Sequence, residues 1–149
     1  MNLSDWSSRW PSFTLAEVLS DDQLKLFKSK GVFPYSFKAL DKLQDFRNFI
    51  DAPLLINHGG SMRRAARSMK DVYEINRETR GKERGWEYSF HLWCAFDLTC
   101  PGKPSTELFS LAKDFGLWGG IGLYDTFVHC DDRSIFGDSP TTWDFRTKK

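Results

Sequence analysis

The spacing of apolar residues predicts one long amphipathic helix in the first half of the chain. In residues 36–50, SFKALDKLQDFRNFI, apolar side chains recur every three or four positions, which is the period of a helix with one buried face. Ser36 precedes this pattern and is a favoured residue at a helix N-cap. The residues expected on the buried face are Phe37, Leu40, Leu43, Phe46 and Ile50.

Shorter apolar runs predict strands. Residues 54–57, LLIN, and 95–98, AFDL, are compact and apolar, as expected of buried strands. In residues 119–131, GGIGLYDTFVHCD, we expect two short strands that are joined near Asp125. These runs do not alternate regularly with helices, which favours an α+β fold with a small antiparallel sheet and flanking helices.

Two further helices are predicted. The segment 65–78, AARSMKDVYEINRE, has a helical pattern. In residues 105–115, STELFSLAKDF, we expect Ser105 to act as the N-cap and Gly116 to take the left-handed conformation that commonly ends a helix. The chain has no internal repeat or long linker, so we expect one domain over residues 1–149, with residues 1–14 as a loosely held arm.

Composition narrows the class of protein. The chain has 21 basic and 20 acidic residues, so no broad electrostatic field favours nucleic acid or a membrane surface. No apolar run approaches the ~20 residues of a membrane span. The N-terminus lacks the pattern of a secretory signal, which favours synthesis in a cytoplasm. Three cysteines without metal-knuckle spacing indicate reduced thiols. We expect a monomer.

Two polar residues interrupt the apolar run YSFHLWCAFDL at residues 88–98, namely His91 and Asp97. A buried carboxylate is costly unless it is paired, hydrogen-bonded or bound to a metal. His129 lies in a second strand-like run, and two histidines with one carboxylate match the three protein ligands of a catalytic zinc site. A straight strand would separate His91 from Asp97 by about 20 Å, so shared binding requires a bend near residues 92–94.

These residues resemble known motifs. SFHLWCAFD is similar to the SxHxxGxAxD motif of the M15 family of zinc peptidases, which includes D-alanyl-D-alanine carboxypeptidases and phage endolysins. GGIGLYDTFVHCDDR resembles the glycine-rich turn and FVHxDxR segment of that family, and LQDFRNFIDAPLLINHGGSMRR resembles its helix, strand and Ser-Gly-Tyr-Arg segment. The similarity extends from about Phe37 to Trp143 and implies the hedgehog/DD-peptidase fold.

The resemblance implies one zinc ion held by His91, Asp97 and His129, with Ser89 at the motif serine. The spacing departs from the family, because His91 and Asp97 stand six residues apart, one fewer than usual, with Cys94 in place of the motif glycine. The Ser-Gly-Tyr-Arg segment is also altered. The substrate cleft is therefore expected to differ from the family norm.

Other roles follow from the same resemblance. Asp131 matches an acidic residue that would orient a ligating histidine. Arg63, or its neighbour Arg64, matches the arginine that would contact a carbonyl or carboxylate of the substrate. Some family members have a carboxylate base three residues before the last ligand, where this chain has Thr126.

The general base is therefore open. Asp125 is the nearest carboxylate to the position of Thr126, although an ordinary turn aspartate has the same sequence signature. Asp131 and Asp132 are the other candidates, and an inactive site is the remaining possibility.

The resulting expectation is a zinc-dependent peptidase that hydrolyses stem or cross-link peptides of peptidoglycan. The absence of a signal pattern favours a phage-type cell-wall lysin made in the host cytoplasm, or a virion-associated enzyme. The alternative is a non-catalytic metal-binding domain of the same fold that acts in cell-wall binding or virion structure. A third alternative is an α+β domain whose polar core residues hydrogen-bond one another and bind no metal.

Overall fold

A computed structural model describes residues 3–19, 25, 28, 29, 36–57, 94–137 and 139–147. Its helices are α1 (Leu3–Arg9), α2 (Leu15–Val18), α3 (Phe37–Ile50) and α4 (Ser105–Phe115), with a 3-10 helix at Arg133–Phe136. Its strands are β1 (Leu55–Ile56), β2 (Ala95–Thr99), β3 (Gly120–Leu123), β4 (Val128–Asp131) and β5 (Thr141–Asp144).

The five strands form one sheet in the order β1-β2-β4-β3-β5. The pairings β1-β2, β2-β4 and β3-β4 are antiparallel, whereas β3-β5 is parallel. The α+β class is therefore confirmed, but the expectation of a wholly antiparallel sheet is wrong at β5. The reason is the 3-10 helix after β4, which ends at Gly137 in the left-handed region (φ +78°) before the chain enters β5 alongside β3.

Helix α3 agrees with the apolar pattern. The Ser36 hydroxyl accepts a hydrogen bond from the backbone N–H of Ala39 at 3.2 Å, as an N-cap should. The side chains of Leu40, Leu43 and Phe46 are at most 1% exposed. Each such side chain contributes roughly 1.5–3 kcal/mol through removal of its apolar surface from water. The predicted helix and the centre of its buried face are confirmed. The end residues of the predicted face are not buried, since Phe37 is exposed and Ile50 is half-buried.

One face of the sheet packs against α3 and α4. Alternation along β2 places Phe96 on this face, and aromatic rings fill the space beneath the helices. Phe46 of α3 lies 5.2 Å from Phe115 of α4 and 5.9 Å from Trp118, ring centre to ring centre, and Trp118 also contacts Phe96. The opposite face of the same strands is where the polar residues are found.

Helix α4 begins one residue earlier than the sequence predicts. Its N-cap is Pro104, and Ser105 is the first helical residue, so the prediction that Ser105 is the N-cap is wrong. The Ser105 hydroxyl instead donates to the carbonyl oxygen of Tyr124 at 2.8 Å, which ties the helix to the turn after β3. Gly116 ends the helix at φ +75°, as predicted.

The N-terminal residues are packed, which corrects the expectation of a loose arm. Trp6, Trp10 and Phe13 are each at least 96% buried, because their rings join the core against α3. The indole N–H of Trp6 donates to the carbonyl of Phe13 at 2.8 Å, and that of Trp10 donates to Asp41 at 2.9 Å. Arg9 also forms a two-point ion pair with Asp41.

Two predictions lie wholly or mostly outside the described residues: the helix at 65–78, and the bend at 92–94, of which only Cys94 is described. The three cysteines form no disulfide and are buried, in agreement with reduced thiols. None of the helices in the described part of the chain is both long and apolar enough to cross a membrane.

Candidate functional site

The sheet register brings Asp97 and His129 together. Asp97 of β2 lies directly opposite His129 of β4 in the antiparallel pairing. Their side chains point to the face of the sheet away from the helices, since neighbouring positions along these strands carry the buried apolar residues. Two residues separated by 32 positions therefore become nearest neighbours through strand pairing alone.

The distance between the two polar side chains matches a pair of metal ligands. Nδ1 of His129 is 3.2 Å from Oδ1 of Asp97. Two atoms that each lie about 2.1 Å from a tetrahedral zinc are about 3.4 Å apart. The same distance also suits a direct hydrogen bond, so the pair is compatible with both a metal-binding and a metal-free state. The chemistry of the donors, one imidazole and one carboxylate, fits zinc.

Asp131 fixes the other nitrogen of the imidazole. Oδ2 of Asp131 is 2.7 Å from Nε2 of His129, on the same face of β4 two residues along. A carboxylate at this position accepts the Nε2 proton and leaves Nδ1 as the nitrogen directed at Asp97. Asp131 therefore contacts the imidazole of His129 directly, and its role in orienting a metal ligand stays a prediction.

Arg133 in turn holds Asp131. Its backbone N–H and its Nε donate to Oδ1 at 3.0 and 2.9 Å, and Nη2 donates to Oδ2 at 2.7 Å. The Asp131 side chain is fully buried, so these charge-assisted bonds replace the water that the carboxylate loses. Asp97, His129, Asp131 and Arg133 form a continuous chain of polar contacts, which we call the polar chain.

The charges of the polar chain shift the proton affinities of its members. Burial by itself lowers the pKa of His129, but hydrogen bonds with Asp131 and Asp97 outweigh burial, so the net pKa is raised. Burial raises the pKa of Asp131, but its bonds with His129 and Arg133 hold that pKa well below its usual range. Asp131 is therefore a carboxylate at neutral pH.

Glycines in β3 create the space for the polar chain. A Cβ atom on Gly120 would lie 2.6 Å from Nε of Arg133, which is too close for any side chain. Gly120 pairs with Asp131 in the register, so the Asp131–Arg133 ion pair lies across the bare backbone of β3. The glycine-rich segment noticed in the sequence is thus required for packing of the polar chain.

Two candidate bases are engaged elsewhere. The Asp125 carboxylate accepts hydrogen bonds from the hydroxyl and the backbone N–H of Thr147, at 2.7 and 3.1 Å, so it ties the β3-β4 turn to the C-terminal segment. Asp132 forms an ion pair with Lys42 of α3 and accepts a bond from Ser134. Strand alternation directs Asp132 to the helix side of the sheet, away from His129.

The remaining predicted site residues, His91, Ser89, Arg63 and Arg64, lie outside the described residues. In the part of the chain that the structure describes, no group of three or more His, Cys, Asp or Glu side chains is placed to hold a metal ion. Of the three predicted ligands, the described part of the chain contains Asp97 and His129. Cys94, which replaces the motif glycine, is buried in a turn, and burial raises its pKa, so its thiol is protonated at neutral pH.

Two residues of this site were not assigned from the sequence. Arg133 stands in the DxR part of the quoted motif, so the signal was present without an assigned role. Trp143 of β5 lies against the imidazole of His129 with the ring centres 5.2 Å apart. The sequence could have indicated Trp143 only through a predicted strand at residues 141–144, and the polar residues around Trp143 hide that strand.

No protein-family model, curated protein or solved structure matches this chain. The resemblance to the M15 peptidases therefore rests on the motif residues themselves.

Proposed function

We propose that the chain is a zinc-dependent peptidase that acts on the peptides of peptidoglycan. The observation that carries the proposal is the arrangement around His129. Its Nδ1 faces the Asp97 carboxylate at ligand-pair distance, while its Nε2 is bonded to a buried carboxylate. These are the contacts expected of a zinc-ligating histidine when one carboxylate shares the metal and the other orients the ring.

Each residue of the site would have a separate role. Asp97 and His129 would hold zinc together with His91, as the resemblance implies. Asp131 and Arg133 would keep the imidazole oriented with Nδ1 directed at Asp97, and zinc would take the place of a proton on Nδ1. Zinc would supply Lewis-acid activation of water and of the scissile carbonyl. Arg63 or Arg64 would steady the charge that develops on the substrate.

The substrate class comes from the family resemblance. The M15 peptidases cleave stem or cross-link peptides of the bacterial cell wall, and the motif residues in this chain resemble those of their metal site. A phage-type lysin, or a virion-associated enzyme, is the form of this activity that we propose.

A second candidate, a metal-binding domain without hydrolytic activity, is favoured by a separate observation. All three carboxylates considered as the general base are already engaged. Asp125 binds Thr147, Asp132 binds Lys42, and Asp131 is held by His129 and Arg133. Such a domain would serve in cell-wall binding or in the structure of a virion.

Loss of turbidity of purified peptidoglycan, measured together with zinc content, separates the two candidates. The wild type, His129→Ala and the control Asp114→Ala are compared, since Asp114 is an exposed carboxylate on α4. The peptidase proposal predicts lysis by the wild type and the control, but not by His129→Ala. Bound zinc with no lysis by any variant would favour the binding domain, and absence of zinc from the wild type would contradict both.

Among active proteins, the products identify the bond that is cut. Mass spectrometry of the released muropeptides distinguishes removal of a terminal residue from internal cleavage. Asp125→Asn tests the assignment of the base. Retention of full lysis by this variant would remove Asp125 from the mechanism, while its tie to Thr147 would account for any change in stability.

A further inference from the structure

The indole of Trp143 lies against the backbone of a glycine in the neighbouring strand. In the parallel pairing of β3 and β5, Trp143 is the partner of Gly122. A Cβ atom on Gly122 would lie 2.6 Å from Cζ2 of the indole, a separation at which the ring could not stay. The Trp143 ring can therefore occupy this position only because residue 122 has no side chain.

The indole contacts two members of the polar chain at once. Its ring centre is 5.2 Å from that of His129, which is also a register partner of Gly122. The guanidinium carbon of Arg133 lies 5.0 Å from the indole centre, in cation-π geometry. One side chain therefore packs against the imidazole and against the arginine that holds Asp131.

The position of the indole is itself fixed. Its Nε1–H donates to the hydroxyl oxygen of Tyr124 at 3.1 Å. The Tyr124 ring is stacked on Phe127 with ring centres 4.5 Å apart and planes 9° from parallel. Because Nε1 is hydrogen-bonded and the ring lies close to the backbone at Gly122, rotation of the indole would break that bond and bring the ring against β3.

We propose that Trp143 is a positioning residue for His129, which keeps Nδ1 directed at Asp97. Hydrogen bonds in the plane of the imidazole set its two nitrogens, but they resist tilting of the ring poorly. Contact with the indole restricts that tilt, and the cation-π contact keeps Arg133 and Asp131 in place behind it. The link to metal binding rests on the proposed function, whereas the effect on the ring does not.

The test uses the full-length chain with three substitutions and a control. Trp143→Leu removes the indole, Gly122→Ala displaces it without changing any polar residue, and Trp143→Phe restores an aromatic ring. Phe145→Ala is the control, because Phe145 lies near Trp143 and is 65% exposed. Thermal unfolding of each variant establishes that it is folded and identifies any general loss of stability.

The first readout needs no metal. In chelator-treated protein labelled with ¹⁵N at histidine, we expect one narrow set of His129 imidazole signals in the wild type and in Phe145→Ala. Trp143→Leu and Gly122→Ala should give broadened or doubled signals as the ring samples more than one orientation, and Trp143→Phe should recover the narrow set. A single narrow set in Trp143→Leu would overturn the proposal. If one of the two variants does not fold, the other gives the same test.

The second readout is zinc affinity by isothermal titration. We expect the zinc dissociation constant to rise about tenfold in Trp143→Leu and Gly122→Ala, the lower end of the effect of residues that orient metal ligands. Phe145→Ala should match the wild type. An unchanged constant in both variants would overturn the link from Trp143 to metal binding. Absence of zinc binding by the wild type would contradict the proposed function, while the imidazole signals would still decide the positioning role.

Discussion

The substitution Asp131→Asn removes one charge from the centre of the polar chain and leaves its shape unchanged. The amide oxygen can still accept the two bonds that Oδ1 accepts from Arg133. The amide nitrogen then takes the place of Oδ2 and faces two donors, Nη2 of Arg133 and Nε2 of His129, each at 2.7 Å from that position. Two donors face each other at Nη2, so that bond is lost, and the bond with the imidazole can re-form only as a neutral one after the ring moves its proton to Nδ1, beside Asp97. Both charge-assisted bonds are therefore lost.

The size of the effect follows from these two bonds. Charge-assisted bonds contribute about 1.5–3 kcal/mol each, so the low end of the range for two gives a loss of roughly 3 kcal/mol. This agrees with the cost of about 3–5 kcal/mol for removing one partner of a buried ion pair. For a chain of this length, roughly 3 kcal/mol corresponds to a fall in the midpoint of thermal unfolding of about 6–12 °C.

The sequence supplies a matched control. Asp144 and Arg146 have the same spacing as Asp131 and Arg133 and form the same three bonds, at 3.1, 3.0 and 2.7 Å. Their side chains, however, are 32% and 28% exposed, against 0% and 13% for the buried pair. Urea unfolding of chelator-treated protein, followed by tryptophan fluorescence, should show a much smaller loss for Asp144→Asn. Equal losses for the two variants would refute the argument from burial.

Two other predictions concern stability. Phe46→Ala should lower the free energy of unfolding by about 3–5 kcal/mol, because the ring is completely buried. Phe49→Ala, at a ring that is 49% exposed on the same helix, should cost less than half as much in the same urea measurement. The hydrogen bond with Arg9 lowers the pKa of Asp41, so this pair should stabilise the protein above the unfolded carboxyl pKa of about 3.9 and lose that effect as pH falls through the folded value. Asp41→Asn should therefore flatten the dependence of stability on pH in acid, and an unchanged slope would contradict this interpretation.

The spacing of apolar residues was sufficient to predict an element where a local pattern decides its structure. Helix α3 follows from apolar spacing and a serine cap, and the β3-β4 hairpin follows from two apolar runs around a polar turn. Gly116 follows from the left-handed conformation that ends a helix. In each case, the residues that determine the element lie within it or next to it.

The features that the sequence did not predict depend on distant partners. The N-terminal segment is polar on average, and the packing of Trp6 and Trp10 against α3 holds it in the core. Strand β5 has exposed residues at Thr141 and Thr142, so its pattern lacks the buried alternation of a strand, and it pairs only because β3 presents an edge. Local propensity contains no information about such an edge.

The candidate site also combines features that the local sequence predicts with features that depend on distant partners. The motif placed Asp97, His129 and Asp131 in one functional group, and strand register brings them within hydrogen-bonding distance. The contribution of Trp143 could not be read from the motif, since it depends on a parallel pairing and on the missing side chain at Gly122.

Zinc stoichiometry tests the central claim most directly. The wild type, Asp97→Ala, His129→Ala and the exposed control Asp114→Ala are stripped with a chelator, dialysed against zinc and assayed for metal per chain. We expect one tightly bound zinc in the wild type and in the control, and loss of that zinc in both Asp97→Ala and His129→Ala. A wild-type chain that binds no zinc, or one whose zinc is unaffected by either substitution, would contradict the account.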